Sequence, residues 1–211
     1  MKLRLGHITF KSDDEVIEFA EIFLKGRIES LKYDVERCLK KDVKGYSPFP
    51  ALMYCLSVID LLGSLLSGEV NEGSSTTNAR KYAIKYMKYH PSVTKIIWKR
   101  FRHKMFHLAM PDTGFKFNKQ IVTWNLHDLN PNNHLRVIPP ARKIIDIGKD
   151  IGKGQGNIPL SGEFVINIKS LEENIEKSIF DSHNGYIKHL KSDLMLVNNF
   201  KKAINAIYEV R

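Results

Sequence analysis

The stretch Lys99 to His107, KRFRHKMFH, concentrates two arginines, two lysines and two histidines in nine residues. Imidazole exchanges protons near neutral pH, and guanidinium is the planar fork that clamps a phosphate. Together they suit chemistry at a phosphodiester, where one group takes a proton, another gives one, and cations meet the charge building on the phosphate oxygens. The frame holding them reads as a helix. Pro91 after His90 suits a first helical position, and Ile97, Phe101, Met105 and Leu108 recur at the spacing of an apolar stripe. At about 100° per residue Arg100, His103 and His107 fall within about 60° of one another, with Arg102 on their flank. Arg102 and His107, five apart, point about 140° from each other, so they work together only if Arg102 curls back or two subunits share one site.

The elements before this helix read as a helical bundle. Ser12-Asp13-Asp14-Glu15 is a helix start with a hydroxyl cap and early negative charge, and Val16, Ala20, Phe23, Leu24, Leu31, Val35 and Cys38 carry a stripe through one helix over residues 13–40, with a bend expected at Gly26. Residues 1–10 alternate as a strand or extended arm, and Gly45 to Pro50 reads as a turn. Ala51 to Ser67 is apolar nearly all round and so central, with a narrow polar stripe of Ser57, Asp60, Ser64 and Ser67 and with Gly63 permitting close helix approach. Asp60 is its only charge. A buried carboxylate needs a cation, and Arg100 or Arg102 is the expected partner. Gly68 to Thr77 reads as a polar loop rimming a site, and Asn78 as the cap of a short helix through Tyr89 with a basic surface of Arg80, Lys81, Lys85 and Lys88.

The segment Arg102-His103-Lys104-Met105-Phe106-His107 resembles the R-x(4–6)-H signature of the HEPN superfamily, the higher eukaryotes and prokaryotes nucleotide-binding helical domains. Arg100 to His107 fits the longest spacing. The resemblance covers residues 12 to 110. It implies a metal-independent endoribonuclease without cofactor, in which His107 moves protons and Arg102 clamps the phosphate; Asp60, as the carboxylate expected beside the arginines, would orient Arg102, and His103 is a second acid/base group or a substrate contact. Lys99, Arg100, Lys104, Arg80, Lys81 and Lys85 would bind the nucleic acid. It further implies a homodimer with two motifs facing one cleft, and a toxin or antiviral defence setting with a cognate antitoxin protein.

Beyond Pro111 the pattern changes. Phe115-Lys-Phe, Ile121 to Leu126, Leu135 to Ile138 and Glu163 to Ile168 read as strands of a small antiparallel sheet, with Phe115, Phe117 and Trp124 in its core rather than stacked on bases. Gly148 to Gly156 has three residues where a Walker loop has four between its glycines, and Gly154 where that loop has Ser or Thr, so it reads as a flexible loop. Ser170-Leu-Glu-Glu173 reads as a capping box, Asp181 to Gly185 as a break, and Asp193 as the start of a last helix carrying Leu196, Phe200, Ile204 and Ile207. The expected organisation is a mainly α protein, a four- to five-helix up-and-down bundle over residues 1–111, a β insertion over 112–169, and helices over 170–211 that pack back.

Composition bounds the alternatives. A chain of 211 residues, 43% hydrophobic, buries a sizeable core. Its net charge of +10 points to a polyanionic partner such as RNA. No run reaches the ~20 uninterrupted apolar residues of a membrane span, and the first ten residues lack a signal peptide's apolar core, so a cytoplasmic protein without a membrane role is expected. Cys38 and Cys55 are expected to be reduced core thiols. His103 and His107 lack an intervening HExxH glutamate and a third ligand, so no metal site is expected. The alternative to an enzyme is a non-catalytic module binding nucleic acid, nucleotide or protein, or a helix whose cations are merely solvated.

Overall fold

Ser12 caps the first helix as its sequence predicts: its Oγ accepts the Glu15 N–H at 3.2 Å, and the Glu15 carboxylate reaches back to the Lys11 N–H at 2.6 Å. The helix, α1 (Asp13–Leu39), runs unbroken through Gly26 and buries Val16, Ala20, Leu24, Ile28, Leu31 and Val35. The computed structural model describes residues 8–40, 46–108, 113–141, 143–146 and 157–208, and excludes the side chains of residues 72, 106–108, 144–146 and 157–158. The expected arm therefore lies mostly, and the glycine loop at 148–156 wholly, outside the described residues. The chain is mainly helical with a small sheet. It divides into two compact units, residues 1–94 with 172–211, and residues 95–171.

In the first unit α2 (Pro48–Ser67) is central, with α1, α3 (Glu72–Lys85) and α8 (Leu194–Tyr208) packed on it. It begins three residues earlier than expected, because Pro48 occupies the first turn, where a missing N–H costs nothing. Among the described residues it is the one helix long and apolar enough to cross a membrane. Its serines are satisfied locally: Ser57 and Ser64 bond the carbonyls of Met53 and Asp60, four residues back. Gly63 does what its position suggests, since a Cβ there would sit 2.4 Å from the Ala79 nitrogen and 2.5 Å from the Asn78 carbonyl carbon.

That approach overturns the expected loop at Gly68 to Thr77. Residues 72–77 are helical, and Asn78, read as a cap, is buried inside α3 against Gly63. The weak helix preference of the Gly-Ser-Ser-Thr-Thr run is overridden by packing on α2. Gly68, left-handed at φ 75°, closes α2. Two carbonyls of its last turn are met from distant elements, Leu65 by the Tyr186 hydroxyl at 3.3 Å and Leu66 by the Asn199 amide at 2.9 Å. Helices α6 (Ile168–Phe180) and α7 (Tyr186–Leu190) precede α8, whose start is capped by Asp193 through the N–H groups of Met195 and Leu196. The cap of α6 is Asn167, not Ser170: the Asn167 side chain accepts the Ser170 N–H at 2.9 Å. Cys38, half-buried, and Cys55, buried, form no disulfide.

The second unit carries β1 (Phe115–Phe117), β2 (Gln120–Asn125), β3 (Val137–Ile138), β4 (Ile144–Asp146), β5 (Asn157–Pro159) and β6 (Gly162–Val165). Asn118 and Lys119, both left-handed at φ 47° and 66°, form the two-residue turn between β1 and β2. The four-stranded sheet has the order β1-β2-β6-β3, and β2 pairs with β6 in parallel. It is mixed, not antiparallel as expected, because the long connection after β2 crosses over before β6 joins. β4 and β5 form a separate antiparallel pair that the sequence pattern does not announce.

Candidate nucleic-acid interface

The Arg/His helix starts at Pro91, where the His90 Nδ1 meets the Ser92 Oγ at 2.7 Å and the Thr94 Oγ returns to the Pro91 carbonyl at 2.9 Å. It is built in three consecutive pieces, α4 (Pro91–Ile96), a π-helical segment (Ile97–Arg102) and α5 (His103–Leu108). The His103 N–H bonds the Trp98 carbonyl, five residues back rather than four. Such a turn holds an extra residue and advances less than 100° per residue. The wheel drawn for a straight α-helix therefore places Arg100 too close to His103, whereas backbone positions 103 and 107 remain one α-helical turn apart within α5.

Buried residues anchor this segment. Ile97, Trp98 and Phe101 are at most 1% exposed, and Phe101 packs edge-on against Trp124 with ring centroids 5.0 Å apart. Trp124 in turn lies 4.4 Å from Phe115 and 5.8 Å from Phe164, and Phe117 lies 5.3 Å from Phe164. Phe115 is thus sheet core as expected, whereas Phe117 and Trp124 join the aromatic cluster half-buried. With that face committed, Lys99, Arg100 and His103 are exposed, while Arg102 and Lys104 are half-buried and the Arg102 Nε is buried. No Asp or Glu stands between Pro91 and Met110, so the segment's own charge is entirely positive. The His107 side chain lies outside the described residues.

The other expected site residues belong to the first unit. Asp60 is half-buried on α2. Lys81 and Lys85 lie on α3, Lys85 exposed with its ammonium 5.1 Å from the Tyr86 ring centre and Lys81 exposed beside it, whereas Arg80 is half-buried with its Nε 3.4 Å from the Thr94 Oγ. Arg80 thus joins α3 to α4 as well as adding charge. Among the described residues no three histidines, cysteines or carboxylates gather as a metal site would require.

Sequence reasoning passes over a polar centre behind the sheet. Glu163 is 8% exposed, and its carboxylate accepts the Asn125 amide at 2.6 Å and the Ala141 N–H at 2.8 Å. Asp128 accepts the Asn130 N–H at 2.7 Å and the Asn133 amide at 2.8 Å, and its carbonyl receives the Asn167 amide at 2.9 Å. Beside them burial pushes the His134 imidazole down to about 4, against a smaller opposing effect of its hydrogen bond with the Asn167 backbone. His134 is therefore neutral at physiological pH. The Asn-Pro-Asn-Asn turn is the only sequence signal of this arrangement. Comparison with models of known protein families, with curated proteins and with solved structures gives no match.

Proposed function

We propose that the chain is a metal-independent endoribonuclease of HEPN type, acting in the cytoplasm as a toxin or antiviral defence protein. One observation supports this reading above the others: a π-helical turn, a distortion frequent at functional sites, ends at Arg102, the first residue of the Arg/His motif, and Lys99, Arg100 and His103 are exposed beside a half-buried Arg102. In the proposed reaction a base takes the ribose 2′-OH proton, the 2′-oxygen bonds to phosphorus, and the bond from phosphorus to the 5′-oxygen breaks. That oxygen receives a proton, leaving a 2′,3′-cyclic phosphate and a 5′-hydroxyl. His107 and His103 are the proposed proton carriers, Arg102 the phosphate clamp and Asp60 its orienting carboxylate. Lys99, Arg100 and Lys104, with Lys81, Lys85 and Arg80, supply the electrostatic footprint. A homodimer facing two motifs into one cleft, and an antitoxin partner, belong to the same proposal.

Purified protein incubated with structured and single-stranded RNA in EDTA tests it. Cleavage leaving cyclic phosphate ends, reduced about 10²- to 10⁴-fold in His107→Ala and Arg102→Ala, is the expected result. RNA bound but intact, with affinity unchanged in His107→Ala, assigns the chain instead to the non-catalytic binding class.

A further inference from the structure

The turn after α6 borders an open groove of about 550 Å³ in the first unit. Ile22 of α1, Phe180 at the end of α6 and Ile187 of α7 give it an apolar lining, and Lys25, Lys188 and Lys191 line it as cations. Its carboxylates are already engaged. Glu21 is held by Lys191 at 2.6 Å, and Asp181 accepts the N–H groups of His183 at 2.9 Å and Asn184 at 2.7 Å. The ammonium groups of Lys25 and Lys188 are exposed and make no hydrogen bond or ion pair among the described residues. The groove therefore sets three lysines against two carboxylates, which leaves it net positive, beside apolar surface that the first unit leaves open, Ile22 being 67% and Phe180 39% exposed.

We propose that this groove docks an acidic segment of a partner protein, which seats a leucine- or phenylalanine-sized side chain among Ile22, Phe180 and Ile187 and sets carboxylates on Lys25 and Lys188. Isolated apolar residues on a surface are ordinary, but three lining one recess ringed by lysines match the anchor and charged rim of a peptide site. Exposure of Ile22 and Phe180 argues against a small molecule, which needs a site that encloses most of its surface. A single aromatic ring, Phe180, between two isoleucines is a poor platform for successive nucleic-acid bases, which stack on several aromatic rings. A recess also suits a bilayer poorly, since membranes receive protruding apolar faces.

The probe is a fluorescent helical peptide of about 16 residues, rich in glutamate with leucines at i, i+3 and i+7. It is titrated into the full chain and followed by anisotropy. Saturable, salt-weakened binding is expected, about tenfold weaker in the Lys25→Glu/Lys188→Glu protein and similarly weaker in Ile22→Ser. These positions are exposed, and an unchanged circular dichroism spectrum confirms that the variants fold. Absence of binding, equal binding by the variants, or equal binding of a peptide with lysine in place of glutamate overturns the proposal. So does an RNA oligonucleotide or a phosphatidylserine vesicle that loses affinity in these variants while the acidic peptide does not. None of the substituted residues belongs to the Arg/His motif, so RNA cleavage is expected to stay at the parent rate and each proposal stands or falls separately.

Discussion

The two units are held together by different means. In the first, four long helices bury continuous apolar stripes, and α2 meets α3 backbone on backbone at Gly63. In the second, strands of two to six residues are too short to supply much apolar area, and short side-chain bonds from Glu163, Asn125, Asp128 and Asn167 tie its loops around an aromatic cluster. Packing dominates one and polar satisfaction the other. A void or an overlap should therefore hurt the first unit most, and a lost acceptor or a buried charge the second. Both tryptophans, Trp98 and Trp124, lie in the second unit, so tryptophan fluorescence reports its unfolding while far-ultraviolet circular dichroism is weighted toward the helices of the first.

The largest effect is expected at Gly63→Ala, where the new methyl meets the Ala79 backbone, which cannot rotate away. A loss of about 3 kcal/mol is expected, seen in the dichroism transition. An equal shift of the fluorescence transition alone would contradict the division of labour. Next comes acid. His134 has a folded pKa of about 4 against 6.5 unfolded, so between those values the unfolded chain binds the proton and the folded one does not. Stability of the second unit is expected to fall as pH drops from 6.5 toward 4, by at most about 3 kcal/mol, and to level off below. His134→Gln should flatten that slope in fluorescence-monitored denaturation. Glu163→Ala strands the Asn125 amide and the Ala141 N–H, and about 2 kcal/mol should be lost from the same transition.

The smallest changes are gains. A methyl group added at Gly26 would have nothing within 4 Å of it, so Gly26→Ala should stabilise the first unit by about 0.5–1 kcal/mol through helix propensity. Lys119→Gly relieves a left-handed lysine in the β1–β2 turn, with a gain of about 1 kcal/mol expected in the second. Thermal melts followed by both signals separate the two, and the opposite assignment of either gain would break the contrast.

How much of this is legible in the sequence follows the same divide. The cap and stripe of α1, the all-round apolarity of α2 and the Asp193 start of α8 are local patterns, and local patterns decide long helices. Residues 72–77 read as a loop from their composition, while the surface around Gly63 favours a helix, a preference that exists only once α2 is in place. The parallel entry of β6, the Glu163 acceptor site and the grouping of Lys25 with Lys188 join residues far apart in the chain, and no periodicity encodes such meetings. Within the candidate site, the exposure of Lys99, Arg100 and His103 is readable from the stripe opposite them. The π turn is not, because it is a choice of hydrogen-bond partner by the backbone.

The central place of α2 carries a consequence for how the protein is made. Its apolar surface is covered partly by α8, which the ribosome adds after the whole second unit has been synthesised. At roughly 5–20 residues per second, the interval between finishing α3 and reaching α8 is on the order of 5–20 s. Throughout it the nascent chain holds an apolar helix without one of its partners, so chaperone attendance during translation should matter more for this protein than its final stability suggests.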